Sequence, residues 1–523
     1  MSAWYDIVKL ASLGLDRQSI VLPNAENALG HLLSQLNLAD SERALLSAAS
    51  ILSLHQQSGC VPTSESGDRL SPIPPNPEPD AFEFCSPRAA QHLQQMLVGE
   101  FARKFERLLP EWLEAIAQSK QRIPPELLPP LLEWGRRHPE WREVLFPVLG
   151  GRGCWLAAQN PEWDYVRNFD IEPGTEAEAW QGGTIGMRCS VLHRLRATDP
   201  GLAREWVESS GKRDKAPDRA KFLATFEVGL SLADEPLLES ALAQKSKLIR
   251  AVAADLLARL PTSEFCDRAR DRLPKYVKVE IEPSLNLEIQ LPKTCPAAAT
   301  RDGINPQPPS GIKAQPWWLL QMVAAVPPDW WHRFASPGSW VEVAKGHEYE
   351  SALLEGWTIA AARHRDVKWA EALLDVLPGL KGYPIGDRHS IEALIQVLPR
   401  ETREAAIIDL LATQGDRLGK NHPAICLLRW CRYPWSAKLS RAVLERFSRE
   451  IVTSKDSYNW GLRSAFLDFG YSIDPQILSE AIDLLQSAAK DGTYWAQTIE
   501  EFLEMLQFRW EFHRAIDESR SEN

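Results

Sequence analysis

No window of this 523-residue chain is apolar for long enough to cross a bilayer. The longest, residues 316–328, contains Gln321 and a proline at each end, and falls short of the roughly 20 residues a spanning helix needs. The opening Met-Ser-Ala-Trp-Tyr-Asp-Ile-Val-Lys-Leu carries charges where a secretory signal needs an unbroken apolar core, so the cytoplasm is the expected location. Cysteine is sparse: eight residues, at 60, 85, 154, 189, 266, 295, 426 and 431, form no Cys-x-x-Cys pair and read as reduced thiols.

Catalytic signatures are missing as well. No Gly-x-Ser-x-Gly elbow occurs, and His347-Glu348 lacks the second histidine of a zinc-protease helix. Gly150-Gly151-Arg152-Gly153 has small residues and a cation, as a phosphate cradle does, but no Gly-Lys-Ser/Thr ending and no preceding strand. Cys189 and His193 stand four apart on an expected helix, yet no second pair completes a four-ligand zinc centre. No cofactor and no metal are therefore expected.

Positive charge is in deficit. A formal net charge of -11 argues against a surface devoted to nucleic acid, whose nonspecific affinity rests on accumulated Lys and Arg. The local exception is residues 211–221, with five cations and two anions, followed by Lys245, Lys247 and Arg250. Such a segment is ordinarily a solvated loop between helices. Its sharper reading is a basic ridge that engages an acidic partner.

What the chain has in quantity is amphipathic helix. Residues 234–242 and 247–260 read as two short helices joined by a polar turn and closed by Pro261, with Ile249, Val252, Ala253, Leu256 and Leu260 forming one stripe. Neither helix buries its stripe alone, so the pair implies stacked neighbours. Comparable patterns cover 25–36, 40–54, 88–109, 187–197, 200–209 and 219–232, and in the second half 317–326, 348–363, 367–377, 401–411, 423–430, 437–451, 475–488 and 494–516. Pro110, Pro124 and Pro139 have the look of first-turn prolines that open helices. Twenty tryptophans suit wide gaps between helices, with some rings left as interface anchors.

Three stretches break the pattern. Residues 60–80 are rich in Pro and Ser and read as an exposed linker. Residues 150–186, with two glycine clusters, read as a long irregular loop. Between 276 and 291, Val277, Val279, Ile281, Leu285, Leu287, Ile289 and Leu291 alternate with polar residues around Pro283-Ser284, which predicts a β-hairpin.

The expected fold is all-α, an irregular HEAT-like α-solenoid or α-α superhelix with one inserted hairpin. Its expected divisions are an N-terminal helical unit (1–59), a linker (60–83), a central repeat region (84–274), a hairpin and loop insertion (275–312) and a C-terminal helical domain (313–523). Solenoids present long binding surfaces, so protein partners are expected, with affinity from a few aromatic or arginine anchors. Arg152, Trp155, Trp163, Trp318 and Trp331, in or beside the irregular segments, are the candidates; one ring of Trp317-Trp318 and one of Trp330-Trp331 should face outward. The rival readings are a nucleic-acid-binding protein or DNA base-excision enzyme, which would need an exposed Trp-Asp pair among clustered cations, and a hydrolase gathered at the glycine-rich loop.

Several motifs together resemble a bacterial family of domains of unknown function, numbered 5691. They are Leu149-Gly150-Gly151-Arg152-Gly153-Cys154-Trp155-Leu156-Ala157 with Asn160-Pro161-Glu162-Trp163, then Asp234-Glu235-Pro236-Leu237-Leu238-Glu239 and Arg301-Asp302-Gly303-Ile304. Trp317-Trp318-Leu319-Leu320-Gln321, Ala324-Ala325-Val326-Pro327 and Gly356-Trp357 continue the likeness. The resemblance implies a helical-repeat scaffold or adaptor, working with AAA ATPases of the MoxR type or von Willebrand A proteins. It implies no catalytic residue.

Overall fold

The computed structural model describes residues 3–13, 21–22, 28–58, 82–167, 174–210, 214–374, 376, 389–413, 417–419, 422–431, 434–453, 460–486 and 494–521. The proline-rich linker expected at 60–83 falls outside them except for its last two residues, as do Lys212 and Arg213 of the basic segment. The chain divides into two compact units, Met1–Pro75 and Asn76–Asn523.

In the first unit, helices Ala3–Leu13, Ala28–Ser34 and Ser41–Ser58 enclose a small core of Ile7, Leu33, Ala48 and Leu52. Asp40 opens the third helix as its sequence predicts, its carboxylate accepting from the Arg43 N–H.

The second unit is an array of short helices. Serine and threonine set many of the starts: Ser86, Thr184, Ser246, Ser263 and Ser336 each cap a helix by accepting from the N–H three residues on. Proline fixes the next position at Pro87 and Pro337, where its missing N–H costs nothing. The helix expected over 88–109 is cut at Val98 and Gly99, a left-handed residue with φ 92°, into Pro87–Leu97, Ala102–Phe105 and a new helix, Leu109–Gln118.

Successive helices stack on near neighbours: Leu109–Gln118 on Arg142–Ala158, Ala216–Ala224 on Lys247–Ala258, Glu350–His364 on Ala314–Ala324 and His389–Val397, Ala437–Thr453 on Leu478–Gln486. The hairpin lies where expected, with β1 (Val277–Glu280) and β2 (Asn286–Ile289) antiparallel and Val277 opposite Ile289. Val277 and Leu287 turn one face of it into the core.

Two features differ from the sequence expectation. The described part of residues 150–186 is largely helical: Arg142–Ala158 runs through the glycine cluster with a kink at Gly150 (φ 60°, ψ −179°), and Glu176–Gly182 follows. Gly150 therefore bends a helix, and at Gly153 a Cβ would lie 2.9 Å from the Leu149 Cβ of the same helix, closer than side-chain atoms pack. The expected break near 313 is also not a break in the core. One apolar cluster runs from Cys85 to Ile516, and the last helix, Tyr494–Ser521, packs against Pro87–Leu97 and Leu109–Gln118. The second unit thus joins its end to its beginning.

Candidate interaction surface

The kink at Gly150 presents Arg152 and Trp155, three apart and hence on one helix face. Arg152 is exposed and has no carboxylate partner among the described residues. Trp155 is half-buried, its indole N–H enclosed without an acceptor among the described residues. Trp163 follows on the short 3-10 turn Pro161–Trp163, which Asn160 caps through the Glu162 N–H. Its ring is also half-buried, beside Glu133. The bidentate hydrogen bond from Arg136, and next to it the Trp163 indole, hold the Glu133 carboxyl below the usual range. Three of the five candidate anchors therefore keep exposed or half-exposed side chains on neighbouring elements.

The other two do not. Trp318 is 6% exposed and Trp331 fully buried. Adjacent helical residues do diverge by about 100°, but Pro328–His332 is covered on more than one side, so Trp330 and Trp331 both point inward. Trp331 meets Trp330, Trp340 and Trp357 edge to face, with centroids 4.8, 5.2 and 5.2 Å away, and Trp357 meets Trp369 at 5.0 Å. These rings fill the space between four helices and are structural. Within Trp317-Trp318 it is Trp317 that lies nearer solvent, its N–H donating to the Asn305 carbonyl.

Sequence reasoning missed the use of the acidic residues in Asp234-Glu235-Pro236 and Arg301-Asp302-Gly303, which act as knots between helices. Asp234, with no exposed surface, takes a bidentate hydrogen bond from the equally buried Arg196 at 2.9 and 2.7 Å, a third from Arg204, and the Ser231 N–H. Arg196 uses its remaining donors on the Val228, Gly229 and Pro200 carbonyls. Burial pushes the Asp234 carboxyl up, but the hydrogen bonds from Arg196, Ser231 and Arg204 outweigh it and leave the group below its ordinary value. Asp302 is surrounded by Arg268, Arg272 and Arg301, while Gly303 (φ 86°) lies so close to the preceding repeat that a Cβ would sit 2.4 Å from that of Ala254. Asp255 joins Arg259, just past the end of its own helix, to Arg363 of Glu350–His364. The local signal was the pairing of Asp-Glu-Pro and Arg-Asp-Gly with helix ends; the arginine partners lie too far along the chain to be seen.

The joint between first and last helices is built the same way. Glu111 receives Arg509 at 2.7 and 2.8 Å and His513 at 2.8 Å. Phe105 stacks on Phe508 at 4.1 Å and Lys104 pairs with Glu504, while Arg107 reaches Asp468 on helix Trp460–Phe469.

Reactive arrangements are scarce. Cys189 is half-buried and His193 exposed on Ile185–Thr198; burial pushes the Cys189 thiol up, against nearby Lys221 and Arg188. Among the described residues no group of three or more His, Cys, Asp or Glu could hold a metal ion, and no helix is long and apolar enough to cross a membrane. An open cleft of about 510 Å³ lies between Phe84, Pro87, Gln91, Gln94 and Pro124-Pro125, away from every candidate anchor.

No curated protein matches the sequence. Among solved structures, a crystal structure of an engineered protein from the Northeast Structural Genomics Consortium covers 81% of this chain and 99% of that chain, at 12% identity and a TM-score of 0.21. A likeness of that size carries no argument. The model of a family described as "Family of unknown function (DUF5691)" matches residues 6–516, almost the whole length, and the chain belongs to that family.

Proposed function

We propose that this protein is a non-catalytic scaffold that binds other proteins, working in the cytoplasm. The observation that carries the reading is how the charges are used. Inside the array, carboxylates and guanidinia meet each other and tie helix to helix, as structural groups do, and are not held around an open site as acid-base pairs are. The helices they secure leave a long outer surface, on which Arg152, Trp155 and Trp163 have the character of binding anchors. The partners implied by the family resemblance, a MoxR-type AAA ATPase or a von Willebrand A protein, are the first to test.

Affinity purification of the tagged chain from its native cell, with mass spectrometry, tests the proposal. Specific recovery of a protein, lost in the triple variant R152A/W155A/W163A, is the expected result. A chain that stays solitary in repeated trials and turns over a substrate would sink it.

A further inference from the structure

Deepening the scaffold reading, on which it rests, we infer that the shared N-terminal edge of helices Ala216–Ala224 and Lys247–Ala258 is a docking ridge for an acidic protein segment bearing an apolar side chain. The two helices pack on each other. Their directions follow from an ion pair at the far end, where Arg259, just past the second helix, meets Glu227 in the 3-10 turn that continues the first, at 2.5 Å. With the C-terminal ends together, the N-terminal ends also lie side by side.

Five cations gather at that edge: Lys215 at the N-cap of the first helix, Arg219 one turn into it, and Lys245, Lys247 and Arg250 around the start of the second; Lys221 follows in the last turn of the first. None has a carboxylate partner among the described residues. Lys247 donates to the Gln307 side chain, and Arg250 to the Gln244 and Lys245 carbonyls. This sets the edge apart from its surroundings, where Arg188 is held by Asp214, Arg196 and Arg204 by Asp234, and Arg268 and Arg272 by Asp302. Between residues 205 and 250 the carboxylates that no described cation holds are Glu205, Glu208, Asp218 and Glu235, fewer than the six cations, so positive charge prevails locally in a chain whose formal charge is -11. Both helix dipoles direct their positive ends to the same edge.

Among the lysines stands Leu248, 52% exposed. A cationic rim around an exposed leucine fits a peptide that alternates carboxylates with an aliphatic residue. It fits a polyphosphate backbone less well, because the remaining surface of the chain repels a long polyanion.

The test is fluorescence anisotropy at low ionic strength with a labelled peptide of Glu and Asp carrying Leu at every fourth position. A Gln-for-Glu, Asn-for-Asp version and a single-stranded oligonucleotide of equal length are the controls. The acidic peptide should bind saturably, weaken with salt, and lose about tenfold or more in affinity to K215E/K221E/K245E/K247E. The corresponding quadruple Gln variant should fall between, and circular dichroism melting should confirm that both variants fold. Failure of the wild type to bind the peptide, equal binding by the reversed variant, or tighter binding of the oligonucleotide overturns the inference. In native-cell purification, partners retained in full by the reversed variant overturn the ridge and leave the scaffold standing. A wild-type chain that captures no protein, yet binds the peptide through these lysines, does the reverse.

Discussion

Arg196 and Asp234 show what a charge does inside this array. With every donor of the guanidinium and both carboxylate oxygens occupied, the pair links Ile185–Thr198 to the turn that opens the next repeat. Removing one partner strands the other in low dielectric, so Asp234→Ala should lower stability by roughly 3–5 kcal/mol, read as a shift in urea midpoint. Replacing both by apolar residues of similar volume should cost less, and an equal loss would show that packing, not stranded charge, sets the penalty. Trp331→Ala should cost a similar roughly 3–5 kcal/mol through the cavity left among Trp330, Trp340 and Trp357. Arg152→Ala, exposed and unpaired among the described residues, should change stability by no more than about 0.5 kcal/mol in the same titration. At this scale the sequence was only half legible. Arg152, Trp155 and Trp163 keep exposed or half-buried side chains beside the glycine cluster, whereas Trp331 is buried because one-in, one-out holds only for a helix with a solvent side, and of Trp317-Trp318 it is Trp317 that faces outward, a choice no local signal makes.

Helices were the most legible elements, since caps, first-turn prolines and apolar stripes are local signals. The hairpin was legible for the same reason, through strict alternation on either side of a Pro-Ser turn. The glycine cluster at 150–153 misled because glycine reads as loop in isolation, while here it bends a helix held on both sides. Gly150 adopts φ 60° and ψ −179°, a conformation open almost only to glycine, so Gly150→Ala should cost about 1–3 kcal/mol in strain and lower the melting temperature. The joint between Leu109–Gln118 and Tyr494–Ser521 was not legible at all. Its partners stand 398 residues apart, and neither helix carries a pattern that names the other. That joint should respond to acid. Burial raises the Glu111 carboxyl, but Arg509 and His513 outweigh burial and hold it below its ordinary value. A depressed carboxyl stabilises the fold fully above its unfolded value, about 4.3, and the contribution is lost as pH falls through the lower folded value. Hydrogen exchange in Tyr494–Ser521, relative to its intrinsic rate at each pH, should therefore quicken below about pH 4. Glu111→Gln should quicken it already at neutral pH and remove that dependence; an unchanged acid profile in the variant would assign the effect to other carboxylates.

The whole molecule follows from how its two units are built. Among the described residues the first has a core cluster of four buried apolar side chains, near the lower limit for independent stability. Among the described residues the second has one continuous apolar cluster, its last helix closes on its first, and no break in that core marks a place to unfold in part. Two transitions are expected in urea, the first unit melting before the second. Tryptophan separates them, because Trp4 alone of the 20 lies before Pro75. Fluorescence will follow the second unit, whereas far-ultraviolet circular dichroism sums both. The dichroism curve should begin to fall at lower urea than the fluorescence curve, and deletion of residues 1–58 should abolish that early phase without moving the fluorescence midpoint. The same argument makes residues 313–523 unable to fold alone. Cut at 313, the segment loses Asp255 from Arg363 and Glu111 from Arg509, and it exposes the apolar faces that continue the core toward residue 85. Expressed by itself it should aggregate or lack a cooperative transition, and a sharply melting fragment would show that the chain holds a domain boundary its core does not reveal.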